Sequence, residues 1–349
     1  MNVSFNIINE KYNYYLLIEP INKKYKINIL LGYGSTGKVY KIENDEGKYV
    51  IKISNNDINN LLTDEINKII DYSNQFNIII KSFPLYYGKI INSNITCILY
   101  PYFGYYNLET IKSINYNIKY KDNIDIIKQI ITQLIGFKNI IHCDLKSANI
   151  VLSIEEEIIA TIVDCGLLKD NYSLRDIIST NYITSPESIL TIDPFYKLNN
   201  TILCFAKHDY FGLFSIIINL FINNNIWEIY VEYLVKDLEI KEKYIRDVNF
   251  TLIYCYMWYR LNFNDKNKIE DKSLYQLISI IESNYPTIVC KKFILFDDFF
   301  TKYIIPNINY KSISKESIEY IKILLYDIIQ FCPMNRPTLK EILIYLEKS

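Results

Sequence analysis

The residue types that could handle a phosphate sit in a few short stretches of this chain. Three of its nine glycines fall within six residues, in Gly32-Tyr33-Gly34-Ser35-Thr36-Gly37, followed by Lys38 and Val39. Glycines this dense let a backbone approach phosphate oxygens that a side chain would block. The stretch also reads as G-x-x-x-x-G-K, but Val39 stands where that loop needs a hydroxyl to hold magnesium. A dinucleotide fingerprint would open a helix, whereas Val39-Tyr40-Lys41-Ile42 has the character of a strand. A third kind of phosphate loop lies between two strands and is followed by a valine that packs on adenine, and Val39 is placed for that. The bland alternative is a glycine-rich hairpin turn with no ligand.

Further along, Val50-Ile51-Lys52 forms a short β-branched run. On a strand Val50 and Lys52 share a face, which would suit a lysine that reaches toward phosphates. Such a lysine needs a carboxylate to aim it, and Glu65 is the only glutamate between Lys52 and Glu109. It precedes Ile66, Ile69 and Ile70, which have helical spacing. The string His142-Cys143-Asp144-Leu145-Lys146-Ser147-Ala148-Asn149 holds one of two histidines and one of three alanines. It combines a carboxylate, a cation and a side-chain amide. Phosphoryl transfer needs that mix: a positioned acceptor, positive charge around the equatorial oxygens, and oxygen ligands for magnesium. Twenty residues after Asp144 comes Asp164-Cys165-Gly166, behind the apolar run Thr161 to Val163.

In this order the strings resemble the eukaryotic protein kinase superfamily, serine/threonine type, over roughly residues 25 to 349. The family loop reads H-R-D-L-K-x-x-N, and Asp164-Cys165-Gly166 is similar to D-F-G. Ser185-Pro186-Glu187 resembles A-P-E, and Cys332 to Thr338 resembles the late C-x-x-x-R-P-T element, whose Arg336 would pair with Glu187. The resemblance implies that Asp144 accepts the proton of the substrate hydroxyl, Lys146 neutralises the transferring group, and Asn149 and Asp164 hold Mg2+. It implies that Lys52, aimed by Glu65, binds ATP phosphates under a loop of Gly32, Gly34 and Gly37. Val39, Val50 and Val151 would enclose adenine, with Tyr100 as gatekeeper and Phe103 on the hinge. Thr180 would hydrogen-bond the catalytic Asp and Lys, and Asp209 would brace the catalytic loop.

The elements that must position these groups change period along the chain. Ile27 to Leu31, Val39 to Ile42, Tyr49 to Ile53 and Cys97 to Tyr100 read as strands. From about Asn107 the spacing is helical, as in Ile127, Ile130, Ile131 and Leu134. A Thr338-x-x-Glu341 capping box opens the last helix. Together with the resemblance this predicts an α+β, two-lobed protein kinase-like fold, with a small β-rich N-lobe and a large helical C-lobe. Residues 1–24 are expected to form an N-terminal extension, 25–102 the N-lobe and 103–349 the C-lobe. Glu187 and Arg336 are 149 residues apart, about twice the expected separation, so the C-lobe is enlarged over about 223–312. That excess, with Trp227, Trp258 and the aromatic stretch from Phe296, is either extra core or a docking surface for a partner.

Composition sets the limits. Ile (68), Asn (38), Lys (34) and Tyr (33) make up about half of the 349 residues, which reflects AT-rich codons rather than a functional tract. A net charge of -1 gives no reason to expect a nucleic-acid partner. The longest apolar run, Phe211 to Ile222, is too short to span a bilayer and contains Asn219, so a buried helix is expected and no membrane partner. Seven scattered cysteines without C-x-x-C spacing suit reduced thiols in the cytoplasm better than a disulfide framework or a zinc site. The expected activity is ATP-dependent phosphorylation of Ser or Thr in a protein substrate, with ATP and Mg2+ as cofactors. The alternative is a pseudokinase that binds nucleotide or a partner as a scaffold. A small-molecule kinase is a third reading, against which the A-P-E-like and R-P-T elements stand together.

Two departures bear on regulation. Cys165, in place of Phe, is expected to loosen the apolar stack between the lobes and lower activity or make it conditional. Cys143 replaces the arginine that contacts a phosphorylated activation segment in the family. Ser173→Ala and Ser179→Ala should therefore each retain phosphotransfer activity in an assay with labelled ATP, and complete loss in either would contradict the expectation.

Overall fold

The computed structural model of the chain describes residues 2–10, 13–34, 37–54, 61–76, 80–114, 116, 118–138, 140–170, 185, 207–222, 229, 299–308, 313–330 and 335–347. The chain divides into two compact units. The first comprises Met1–Tyr106, Gly136–Lys138 and Val151–Leu168, and the second comprises Asn107–Ile135, Asn139–Ile150 and Lys169–Ser349.

Seven strands build the barrel of the first unit: β1 (Asn2–Glu10), β2 (Asn13–Glu19), β3 (Lys23–Tyr33), β4 (Gly37–Asn44), β5 (Gly47–Ser54), β6 (Tyr86–Ile90) and β7 (Thr96–Pro101). They close into a barrel in the order β1-β2-β3-β4-β5-β7-β6. This overturns the expected two-lobed protein kinase-like fold with a small β-rich N-lobe: the chain is mixed α+β, with a closed barrel and a few helices. The reason lies at the sheet edges. Strands β3 to β7 alone would leave β3 and β6 with unpaired backbone groups. Residues 2–19, expected as part of an extension, supply the missing staves. β2 pairs antiparallel with β3, and β1 pairs in parallel with β6 from Asn2↔Tyr87 to Phe5↔Ile90.

Period-two alternation divides the wall into an inner and an outer face. Val3, Phe5, Leu16, Ile18, Tyr25, Ile42, Ile51, Cys97 and Leu99 fill the interior. The residues between them point outward, among them Ile98, which packs on Leu62 and Ile66 of helix α1 (Leu61–Phe76). The filled interior leaves polar chemistry to the outer wall. A second hairpin, β8 (Ile150–Ile154) with β9 (Ile158–Ile162), carries the chain toward Asp164.

In the second unit α2 (Tyr120–Gly136) buries Ile126, Ile127, Ile130 and Ile131. Helix α3 (Asp209–Phe221) is buried almost all round, and Asn123 Nδ2 donates to its Leu220 carbonyl at 2.9 Å. Helix α4 (Lys315–Ile328) is capped by Ser314, whose Oγ accepts from the Ser317 N–H. Helix α5 (Leu339–Glu347) starts on the capping box: Thr338 N donates to Glu341 Oε2 at 2.7 Å and Glu341 N to Thr338 Oγ1 at 3.2 Å. Arg336 is buried and donates to the carbonyls of Gln330 and Lys207, at 2.8 and 2.9 Å, and Phe211 lies under its guanidinium. Its expected partner Glu187 lies outside the described residues. No helix among the described residues is long and apolar enough to cross a membrane.

Barrel closure depends on close approach at Gly88, where an added Cβ would lie 1.6 Å from the Val3 carbonyl oxygen. Gly88→Ala should cost roughly 2–3 kcal/mol by forcing β1 off β6. Gly136→Ala, where an added Cβ meets nothing within 4 Å, should be neutral or gain up to about 1 kcal/mol. Chemical denaturation of the two variants checks the pair, and equal stabilities would refute it.

Candidate functional site

The first unit brings four of the expected residues together. Lys52 stands on the outer face of β5, opposite Val39 on β4, and Val50 opposite Tyr100 on β7. Lys52 Nζ donates to Glu65 Oε2 at 2.8 Å and to Asp164 Oδ1 at 3.0 Å. Tyr100 Oη donates to the other oxygen of the same carboxylate, Glu65 Oε1, at 3.0 Å. Glu65 projects from α1 and is only 3% exposed, whereas the Asp164 side chain is 47% exposed. The arrangement is one lysine between two carboxylates, one buried and one open to solvent.

The charges follow from this packing. Burial alone would lower the Lys52 ammonium, but Asp164 and then Glu65 outweigh it and hold the group above the ordinary lysine value. Burial raises the Glu65 carboxyl against the pull of Lys52. Burial, and then the Glu65 charge, keep the Tyr100 hydroxyl protonated well beyond the usual tyrosine range, so it acts as a donor.

Around this group, Gly34 N–H closes a turn onto the Gly37 carbonyl at 2.9 Å. An added Cβ at Gly32 or Gly34 would meet nothing within 4 Å, so packing does not demand glycine at either. Val39, Val50, Phe103 and Val151 are half-buried in the same unit. Asp164 has a left-handed backbone, φ 61°. Cys165 is buried, with its Sγ 3.7 Å from Ser82 Oγ and its thiol pushed up to about 12 by burial. Ser82 carries no motif that sequence reasoning could have used.

The second unit holds the other group. Lys146 Nζ lies 2.7 Å from Asp144 Oδ2. Asn149 Nδ2 donates to the Asp144 carbonyl at 2.8 Å and to its carboxylate at 3.2 Å, which leaves the amide oxygen as an acceptor. Asp209, at the start of α3, accepts from the backbone N–H groups of His142 at 2.7 Å and Cys143 at 3.0 Å. That brace holds Cys143 in a left-handed conformation, φ 65°, which a non-glycine residue adopts only when its surroundings enforce it. Buried Ser185 and His208 share a 2.9 Å hydrogen bond that the sequence reading did not anticipate. Thr180 lies outside the described residues.

No group of three or more His, Cys, Asp or Glu side chains placed to hold a metal ion occurs among the described residues. Asp164 and Asn149 instead offer single hard oxygens. No protein-family model matches the chain, and no curated protein is significantly similar to it.

The buried carboxylate leads to a pH signature. With the Glu65 pKa raised in the fold above its ordinary 4.5, the folded chain keeps a proton that the unfolded chain has lost. Stability should therefore fall as pH rises from about 4.5 through the folded value, by roughly 1.4 kcal/mol for each pH unit between the two. Denaturation series for wild type and Glu65→Gln check this. The wild-type curve should carry the extra slope, and parallel curves would contradict it.

Proposed function

We propose that the chain is an ATP-dependent serine/threonine protein kinase. The observation that carries the reading is the Asp144 cluster. A loop with the sequence His142-Cys-Asp-Leu-Lys-Ser-Ala-Asn149 presents a carboxylate already hydrogen-bonded to a lysine and an asparagine, on a backbone braced by a buried aspartate. The Lys52–Glu65–Asp164 group supports it independently, as does a loop whose Gly32 and Gly34 are not required by packing. The reading rests on these side chains and not on the fold, since chemistry is carried by sites.

In the proposed reaction the oxygen of a Ser or Thr hydroxyl forms a bond to the γ-phosphorus of ATP as the bond to the β–γ bridging oxygen breaks. Asp144 orients the hydroxyl and accepts its proton. Lys146 holds Asp144 in place and sets positive charge near the equatorial oxygens. Lys52, kept charged by Glu65 and Asp164, binds phosphate oxygens of the nucleotide. Asp164 in the first unit and Asn149 in the second are each suited to ligate magnesium, which when bound offsets phosphate charge. The glycine loop would cover the phosphates, since glycines let a backbone come close to them. Lys146, two residues after Asp144, favours Ser or Thr over Tyr acceptors.

A nucleotide-binding scaffold without transfer is the second reading, and the replacements at Cys143 and Cys165 favour it. One comparison separates the two. Purified wild type should label a protein or peptide acceptor from γ-labelled ATP and Mg2+, and Asp144→Asn should lose roughly 10²-fold or more of that rate. Equal labelling by both would sink the kinase reading.

A further inference from the structure

We propose that Tyr100 is a positioning residue that holds Lys52 by way of Glu65. Glu65 sits between two donors that take one oxygen each, Lys52 on Oε2 at 2.8 Å and Tyr100 on Oε1 at 3.0 Å. A carboxylate with a single donor can turn about its terminal bond and trade oxygens. One held on both sides keeps its plane, and the lysine on its far oxygen keeps one position. The two donors stand on β5 and β7, neighbours in the barrel wall, where Val50 pairs with Tyr100 and Lys52 with Ile98. Glu65 comes from α1, whose apolar residues Leu62 and Ile66 rest on Ile98 of the same wall. Tyr100 thus adds a polar tie to an apolar contact and locks the helix in rotation as well as in distance.

The choice of a phenol fits the charge pattern. Lys52 already serves two carboxylates, Glu65 and Asp164. A second cation beside Glu65 would compete with Lys52 for it. A neutral hydroxyl stabilises the ionised carboxylate, which Lys52 needs as its partner, without adding charge. Burial keeps that hydroxyl protonated, and its hydrogen bond is among the effects that lower the Glu65 pKa. Removing the hydroxyl should raise the Glu65 pKa further, leave Lys52 with a more often protonated partner, and free its ammonium.

The test has two arms, of which only the second rests on the kinase reading. In the first, the ligand-free chain is acylated with succinimidyl acetate at pH 8 and Lys52 modification is followed by peptide mass spectrometry. Tyr100→Phe should speed labelling of Lys52 about tenfold over wild type, toward the rate in Glu65→Gln, and should add nothing in the Glu65→Gln background. In the second arm, Tyr100→Phe should raise the KM for ATP by about tenfold, with kcat within roughly threefold of wild type. The acid limb of its kcat/KM profile should move to higher pH, because the raised Glu65 pKa delays ionisation. Unchanged Lys52 labelling overturns the proposal, even if KM rises, since Tyr100 would then act by touching nucleotide directly. A Tyr100→Phe effect that persists in Glu65→Gln also overturns it. Faster labelling in a chain whose wild type transfers no phosphate upholds the positioning role and rejects the kinase reading alone. If Tyr100→Phe does not fold, Tyr100→Met, a flexible filler without a donor, takes the same measurements.

Discussion

Burying one carboxylate organises the first unit. Glu65 is 3% exposed, and an ionised group so placed is tolerable only with donors at its oxygens. The structure meets that demand from two adjacent strands and one helix. Lys52 from β5 and Tyr100 from β7 converge on Glu65 from α1, and Lys52 extends the network to Asp164 beyond β9. Each member constrains the others. The helix cannot rotate without losing both hydrogen bonds, and neither strand can slip by one residue without turning its donor into the barrel interior.

That convergence depends on the barrel. Its interior is taken up by aliphatic and aromatic side chains from Val3 to Leu99, so β5 and β7 must present their alternate residues outward. Closure by β1 and β2 removes the free edges that β3 and β6 would otherwise expose, and pairs both sides of every stave. The second unit solves a similar problem with loops. Asp209 satisfies two backbone N–H groups at His142 and Cys143 and so offsets the left-handed turn that precedes Asp144. In both units a buried carboxylate sets the geometry of the polar groups around it.

Much of the candidate site was legible because its residues are rare in this composition and lie in short strings. Lys52, Glu65, Asp144, Lys146, Asn149 and Asp164 were all named from spacing and resemblance, and the structure places them in two hydrogen-bonded groups. The capping box at Thr338 and Glu341 was legible because both ends lie within one turn. The barrel was not. Val3 and Phe5 alternate with polar residues, but Leu16 and Ile18 flank the apolar Leu17, so the strand period is blurred there. The parallel pairing of Asn2 with Tyr87 joins segments 85 residues apart and leaves no local pattern. Tyr100 was read as a gatekeeper from its place in a run, and nothing in the run says that its hydroxyl meets Glu65.

The sequence by itself determined which side chains are suited to chemistry and which local strands and helices bear them, because side-chain periodicity, caps and short motifs act over a few residues. Only the tertiary structure decided that the sheet closes, which face of each strand looks out, and which donor meets which carboxylate oxygen. Those outcomes rest on edge pairing and on the satisfaction of buried charge between segments distant in the chain. Such constraints are met by the whole set of contacts at once and are written in no single stretch of residues.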